Sequence, residues 1–163
     1  MASNTPSTWS PPGHPEWLEA MNREGSYFNL EAVVPLDEAS LIAHACATTG
    51  LSDFGNDNWR EPFAVLVKAL AEEAQLTLMG RLMARSDINF WLSTRLQVTD
   101  LLKQHPEILE QPVPSPMFIV GLPRSGTSIL YELLAQDPDV GVPLMWEALQ
   151  PCPTLSLLQP SCV

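Results

Sequence analysis

Positive charge is scarce in this chain. Eight lysines and arginines stand against 19 aspartates and glutamates, a formal net charge of -11 over 163 residues. A protein that binds nucleic acid or an anionic membrane without sequence preference needs a basic face, and this composition does not supply one. Cysteine is also sparse: Cys46, Cys152 and Cys162 are odd in number and form no CxxC pair, which reads as free thiols in a reducing compartment. His14, His44 and His105 have no metal-ligand partner at helical spacing, so no metal is expected. No apolar run approaches the roughly 20 residues of a membrane span. The opening stretch "MASNTPSTWSPPGHPEW" lacks the basic and apolar segments of a secretory signal. A soluble, cytoplasmic protein is the expectation.

What is present reads as one globular chain, 45% hydrophobic and 17% charged. Residues 1–35 are expected to be a flexible, proline-rich arm and lead-in, with Pro6, Pro11, Pro12 and Pro15 removing donors and fixing φ. Residues 36–109 read as a helical region. Its first helix has Asp37 and Glu38 in front, Leu36, Ala39, Ile42, Ala43 and Cys46 at helical spacing, and Gly50 as its stop. The next is one long amphipathic helix from about Asp57 to Arg85, with Phe63, Leu66, Val67, Leu70, Ala74, Leu78, Leu82 and Met83 as its apolar stripe. A third begins at Ser86 or Asp87, buries Ile88, Trp91, Leu92, Leu96, Leu101 and Leu102, and ends at Pro106. Three prolines in "EQPVPSP", residues 110–116, make a connector.

Residues 117–163 change character. "MFIVG" is short, apolar, partly β-branched and bounded by proline and glycine, which suits a buried parallel strand. Ile129, Leu130, Leu133 and Leu134 then follow a helical period until Pro138. Strand, glycine loop and helix form the first unit of an α/β domain. The loop "GLPRSGTS" aims backbone amides at one spot, and the helix dipole adds positive potential there, so a phosphate fits it. Gly121 is expected to let the chain leave the strand sharply, Gly126 to let backbone approach an oxyanion, and Pro123 to stiffen the loop. Arg124, the only arginine or lysine after Lys103, stands within the cradle, where it can neutralise a phosphate. The spacing approaches the nucleotide loop GxxxxGK[ST], but Thr127 occupies the lysine position, so no side chain reaches a triphosphate.

"PRSGTS" resembles the 5′-phosphosulfate-binding loop of sulfotransferases, in the branch that reads PRSGTT and includes tyrosylprotein sulfotransferases and many bacterial sulfotransferase-like proteins. Ser128 replaces the second threonine of that pattern, a hydroxyl for a hydroxyl. The resemblance implies a P-loop-like α/β sulfotransferase fold and 3′-phosphoadenylyl sulfate as donor, held without metal by Arg124, Ser125, Gly126, Thr127 and Ser128. It also implies that Arg124 contacts the bridging oxygen and that a glutamate about twenty residues past the loop is the base. Glu147, 23 residues after Arg124 and beside Met145 and Trp146, is the candidate, and its apolar neighbours are expected to raise its pKa.

In the family the 3′-phosphate is held by an arginine and a serine well past the loop, and residues 148–163 contain neither arginine nor lysine. "PCPTLSLLQPSCV" also carries no charge. The expectation is therefore the N-terminal portion of a sulfotransferase, a truncated or frameshifted product departing after Pro153, incomplete and inactive alone. The partners implied are a small-molecule donor and an acceptor that these residues leave open. Two other readings stand beside it: a P-loop nucleotide-binding or kinase-like protein without its lysine, and a non-enzymatic helical interaction module.

Overall fold

A computed structural model of the chain describes residues 12–122 and 124–152. Pro6, Pro11, Pro123, Cys162 and the tail from Pro153 lie outside the described residues. The described residues fall into two compact units, one running to Ala45 and including Asn56–Phe90, the other comprising Cys46–Gly55 and the chain from Trp91 onward.

In the first unit, part of the expected arm is ordered. Helix α1, Glu16–Gly25, starts where the Pro15 carbonyl receives the N–H groups of Leu18 and Glu19 at 2.9 and 3.1 Å. Glu16 and Glu19 in its first turn and Arg23 in its last complement the helix dipole. Its C-terminal glycine has a packing reason: a Cβ on Gly25 would stand 2.5 Å from the Leu78 Cβ, so only glycine allows this approach. The Asn22 side chain adds a hydrogen bond from the Met79 N–H at 3.3 Å. Helix α2, Leu30–Val33, is capped by Asn29, which accepts from Glu31 and Ala32. Within the stretch 1–35 read as a lead-in, residues 16–25 and 30–33 are thus helical, and Asn22 and Gly25 touch Met79 and Leu78, distant in sequence.

Helix α3, Glu38–Thr49, begins and ends as expected. Asp37 caps it through the Ser40 N–H at 2.8 Å, and Gly50, at φ 71°, closes it with its N–H on the Cys46 carbonyl. Its most buried face is Leu41 and Ala45, one position off the expected stripe, with Ile42 and Cys46 at its margin.

The long helix expected across 57–85 is two helices. Helix α4, Arg60–Glu72, stops where the Glu73 and Ala74 N–H groups both turn back to the Ala69 carbonyl and Gln75 takes a left-handed φ of 46°. Helix α5 then runs Leu78–Gln104, capped by the Thr77 hydroxyl on the Gly80 N–H at 3.3 Å, and continues through the expected start at Ser86 and Asp87. Of the stripe, Phe63 and Val67 are buried, whereas Leu66, Leu82 and Met83 are exposed; Ile88, from the next expected helix, is buried as expected. Arg81 is 6% exposed, and its Nε donates to the Val34 carbonyl at 3.1 Å; Arg85 donates to the Pro35 carbonyl. Two guanidinium groups thus satisfy the carbonyls of the α2–α3 connection.

In the second unit, Phe54, Leu92 and Leu96 are the buried hydrophobes, spaced so that Leu92 and Leu96 share one face of α5. Trp91, expected in that core, is 57% exposed because it lies a quarter-turn off the 88–92–96 stripe. Arg95 Nε donates to the Phe54 carbonyl at 2.8 Å. Lys103 pairs with Asp53, whose carboxyl this contact and the Gly55 N–H hold below the usual carboxylate range.

The strand expected over 117–121 is not formed, and among the described residues there is no strand. Phe118 and Val120 are 82% and 90% exposed. A strand is defined by a ladder to a neighbour, and no described segment supplies one. The segment is extended chain leading into the loop. Helix α6, Thr127–Leu134, and helix α7, Met145–Leu149, complete the unit. Among the described residues, no helix is long and apolar enough to cross a membrane.

Candidate functional site

Residues 121–122 and 124–126 lead tightly into α6. The Ser125 N–H donates to the Leu122 carbonyl at 3.1 Å, and the Leu130 N–H to the Gly126 carbonyl at 3.1 Å. Gly126, the residue before α6, has φ 91° with open space where a side chain would stand. That conformation excludes other residues more firmly than crowding does. Arg124 also sits at positive φ, 67°, unfavourable for a residue with a Cβ.

Gly121 serves a purpose different from the one expected. A Cβ there would fall 2.6 Å from Ser125 Oγ and 2.9 Å from Thr127 Cγ2. The glycine makes room for two cradle side chains to fold back over the backbone, besides any freedom it gives the turn.

Helix α6 has no side-chain cap. The Ser125 amide is committed to the Leu122 carbonyl, while no acceptor among the described residues takes the N–H groups of Gly126, Thr127 or Ser128. Three amides, the hydroxyls of Ser125, Thr127 and Ser128, and the exposed Arg124 guanidinium therefore constitute the donor set. Pro123 lies outside the described residues.

Thr127 and Ser128 open onto a groove of about 620 Å³ between α6 and the 142–149 segment, lined by Tyr131, Ala135, Leu144, Met145 and Ala148 among others. This volume is in the range of small-molecule sites. Arg124, Ser125, Gly126 and Glu147 are not among its lining residues. Glu147 is exposed, on the side of α7 away from Met145, and its Oε2 accepts the Leu144 N–H at 2.7 Å. It thereby caps its own helix, since Leu144 has no side-chain acceptor to do so. Met145 and Trp146 are exposed too and do not enclose the carboxylate. Cys152 follows two residues after Gln150, and burial pushes its thiol up.

Sequence reasoning missed Tyr131, whose hydroxyl donates to the Pro143 carbonyl and ties α6 to the segment that leads into α7. Its signal was faint: a phenol on the otherwise aliphatic stretch "SILYELL".

The loop before α6 and the helices that precede it have counterparts in known proteins. Residues 116–160 match the sulfotransferase family model, a stretch that passes Pro153 into the uncharged tail. Sulfotransferase STF1 from Mycobacterium tuberculosis H37Rv is 38% identical with a TM-score of 0.64, over 71% of this chain and 32% of that one. Sulfotransferase STF9 from Mycobacterium avium is 35% identical with a TM-score of 0.62, over 70% of this chain and 29% of that one. No curated protein matches the chain. These likenesses are to bacterial sulfotransferases. The chain is similar to the sulfotransferase family over residues 116–160 and spans about a third of the length of these solved relatives.

Proposed function

We propose that this chain supplies the donor side of a sulfotransferase site, with residues 121–128 holding the 5′-phosphosulfate of 3′-phosphoadenylyl sulfate for transfer to an acceptor oxygen or nitrogen. The observation that carries this reading is the loop itself. A Cβ on Gly121 would crowd Ser125 and Thr127, Gly126 takes a φ that favours glycine, and three amides at the start of α6 have no acceptor among the described residues. The extended segment 117–121 is unpaired here, and its exposed apolar Phe118 and Val120 support reading it as a stretch that becomes a strand of an α/β sheet only where other strands pair with it.

The donor, when bound, supplies a sulfuryl group on a phosphate leaving group. The amides of Gly126, Thr127 and Ser128 and the neighbouring hydroxyls hold the phosphate oxygens. Arg124 neutralises the charge that develops on the departing oxygen, the role of a positioned cation in such transfers. Glu147 takes the proton that the acceptor loses. Its Oε2 is engaged by the Leu144 N–H, and Oε1 is left to receive that proton.

Calorimetry with adenosine 3′,5′-bisphosphate tests the reading, since that ligand keeps the 5′-phosphate without the reactive group. Binding is expected, and Arg124→Ala should weaken it about tenfold or more, the usual worth of a hydrogen bond to a charged group. Binding of magnesium–ATP with no response to the bisphosphate would overturn it in favour of a nucleotide loop.

A further inference from the structure

The peptide group between Pro143 and Leu144 is hydrogen-bonded at both ends. Its carbonyl accepts from the Tyr131 hydroxyl, and its N–H donates to the Glu147 carboxylate at 2.7 Å. We infer that Tyr131 is a positioning residue for Glu147, fixing the proposed base relative to the donor helix through this one peptide group. The inference rests on Glu147 acting as the base.

The helix that begins with the cradle residues Thr127 and Ser128 carries Tyr131 one turn on, so the phenol stands on the same face as Thr127. Helix α7 is five residues long, too short to hold its own geometry in water, and no side-chain oxygen at position 144 caps it. Between the helices, residues 139–144 form no helix, and the link from Tyr131 is the hydrogen bond that joins α6 to the start of α7. Tyr131 is half-buried and lines the groove together with Pro143, Leu144 and Met145. Donation into the Pro143 carbonyl polarises the peptide and strengthens its N–H as a donor to the carboxylate. The donor loop and the base are therefore coupled by position and by hydrogen bonding.

The coupling has a spectroscopic signature, because the chain has two tyrosines, Tyr27 and Tyr131, and Tyr27 is exposed. In the full chain labelled with 3-fluorotyrosine, Glu147→Ala should move the fluorine resonance of Tyr131, Glu147→Gln should move it less, and neither should move that of Tyr27. In the converse experiment, Tyr131→Phe should speed hydrogen exchange at the Leu144 amide about fivefold, the usual worth of one hydrogen bond. A Tyr131 resonance indifferent to Glu147 overturns the inference, and so does an unchanged Leu144 amide in a folded Tyr131→Phe protein. If Tyr131→Phe does not fold, the fluorine measurement decides alone. Calorimetry with adenosine 3′,5′-bisphosphate on the same parent sample separates the two claims. Failure to bind defeats the proposed function, whereas binding without the coupling defeats this inference only.

Discussion

At the scale of single residues, the loop is specified by what cannot be substituted. Ser125 Oγ lies where a Gly121 side chain would go, and Thr127, which is β-branched and stiff at χ1, closes the other side. Gly121→Ala therefore forces Ser125 to rotate and the loop to widen at Thr127. Bisphosphate affinity should fall about tenfold, on the order of one charged hydrogen bond, while helix content by circular dichroism stays that of the parent. Undiminished affinity would mean that neither side chain holds the phosphate. This residue logic was partly legible in the sequence: two glycines, an arginine and a run of hydroxyls pointed to an anion cradle. The steric role of Gly121 was not, because it depends on side chains that fold back across the loop. Nor was the cap that Glu147 makes for α7, since a glutamate three residues after leucine has no capping-box signature.

At the scale of elements, starts and stops were legible where side chains carry them. Asp37 and Gly50 bound α3 as their chemistry requires. The break between α4 and α5 has no glycine or proline at its centre; Gln75 adopts the left-handed turn that usually marks a glycine, and the apolar period runs on across it. Ser86 and Asp87, in contrast, look like a cap and are crossed by the helix, since buried Arg81 and Ile88 hold α5 on both sides of them. Tertiary contacts decided both cases against local preference. The strand over 117–121 failed for another reason: its pairing depends on other segments, which a local pattern cannot display. The α4–α5 break makes a paired prediction. Gln75→Gly should stabilise the chain by roughly 0.5–1 kcal/mol by relieving the left-handed backbone against glycine's entropic cost. Thr77→Ala should destabilise it by about 1 kcal/mol through loss of the cap. Thermal melts should move in opposite directions, by about 2–4 °C for each kcal/mol in a chain of this size. Equal and like-signed shifts would show that the break is set elsewhere.

At the scale of the whole molecule, the proposed ligand and the protein carry charge of the same sign. A bisphosphate approaching a chain of net charge -11 meets distributed repulsion, opposed locally by Arg124 and the amides of α6. Salt acts on both. At about 0.1 M the Debye length is near 10 Å, so the spread-out repulsion is screened strongly and the close attraction at the loop less so. In the parent the two effects oppose each other, and affinity should vary little between low and physiological salt. Arg124→Ala removes the one full positive charge in the cradle and leaves only partial charges on backbone amides. Its weaker binding should then improve as salt rises, because relief of repulsion dominates. Calorimetric titrations of parent and variant across a salt series measure this directly. If both lose affinity with salt at the same slope, Arg124 is not the cation facing the phosphate, and the positive charge that attracts the ligand belongs to another part of the chain.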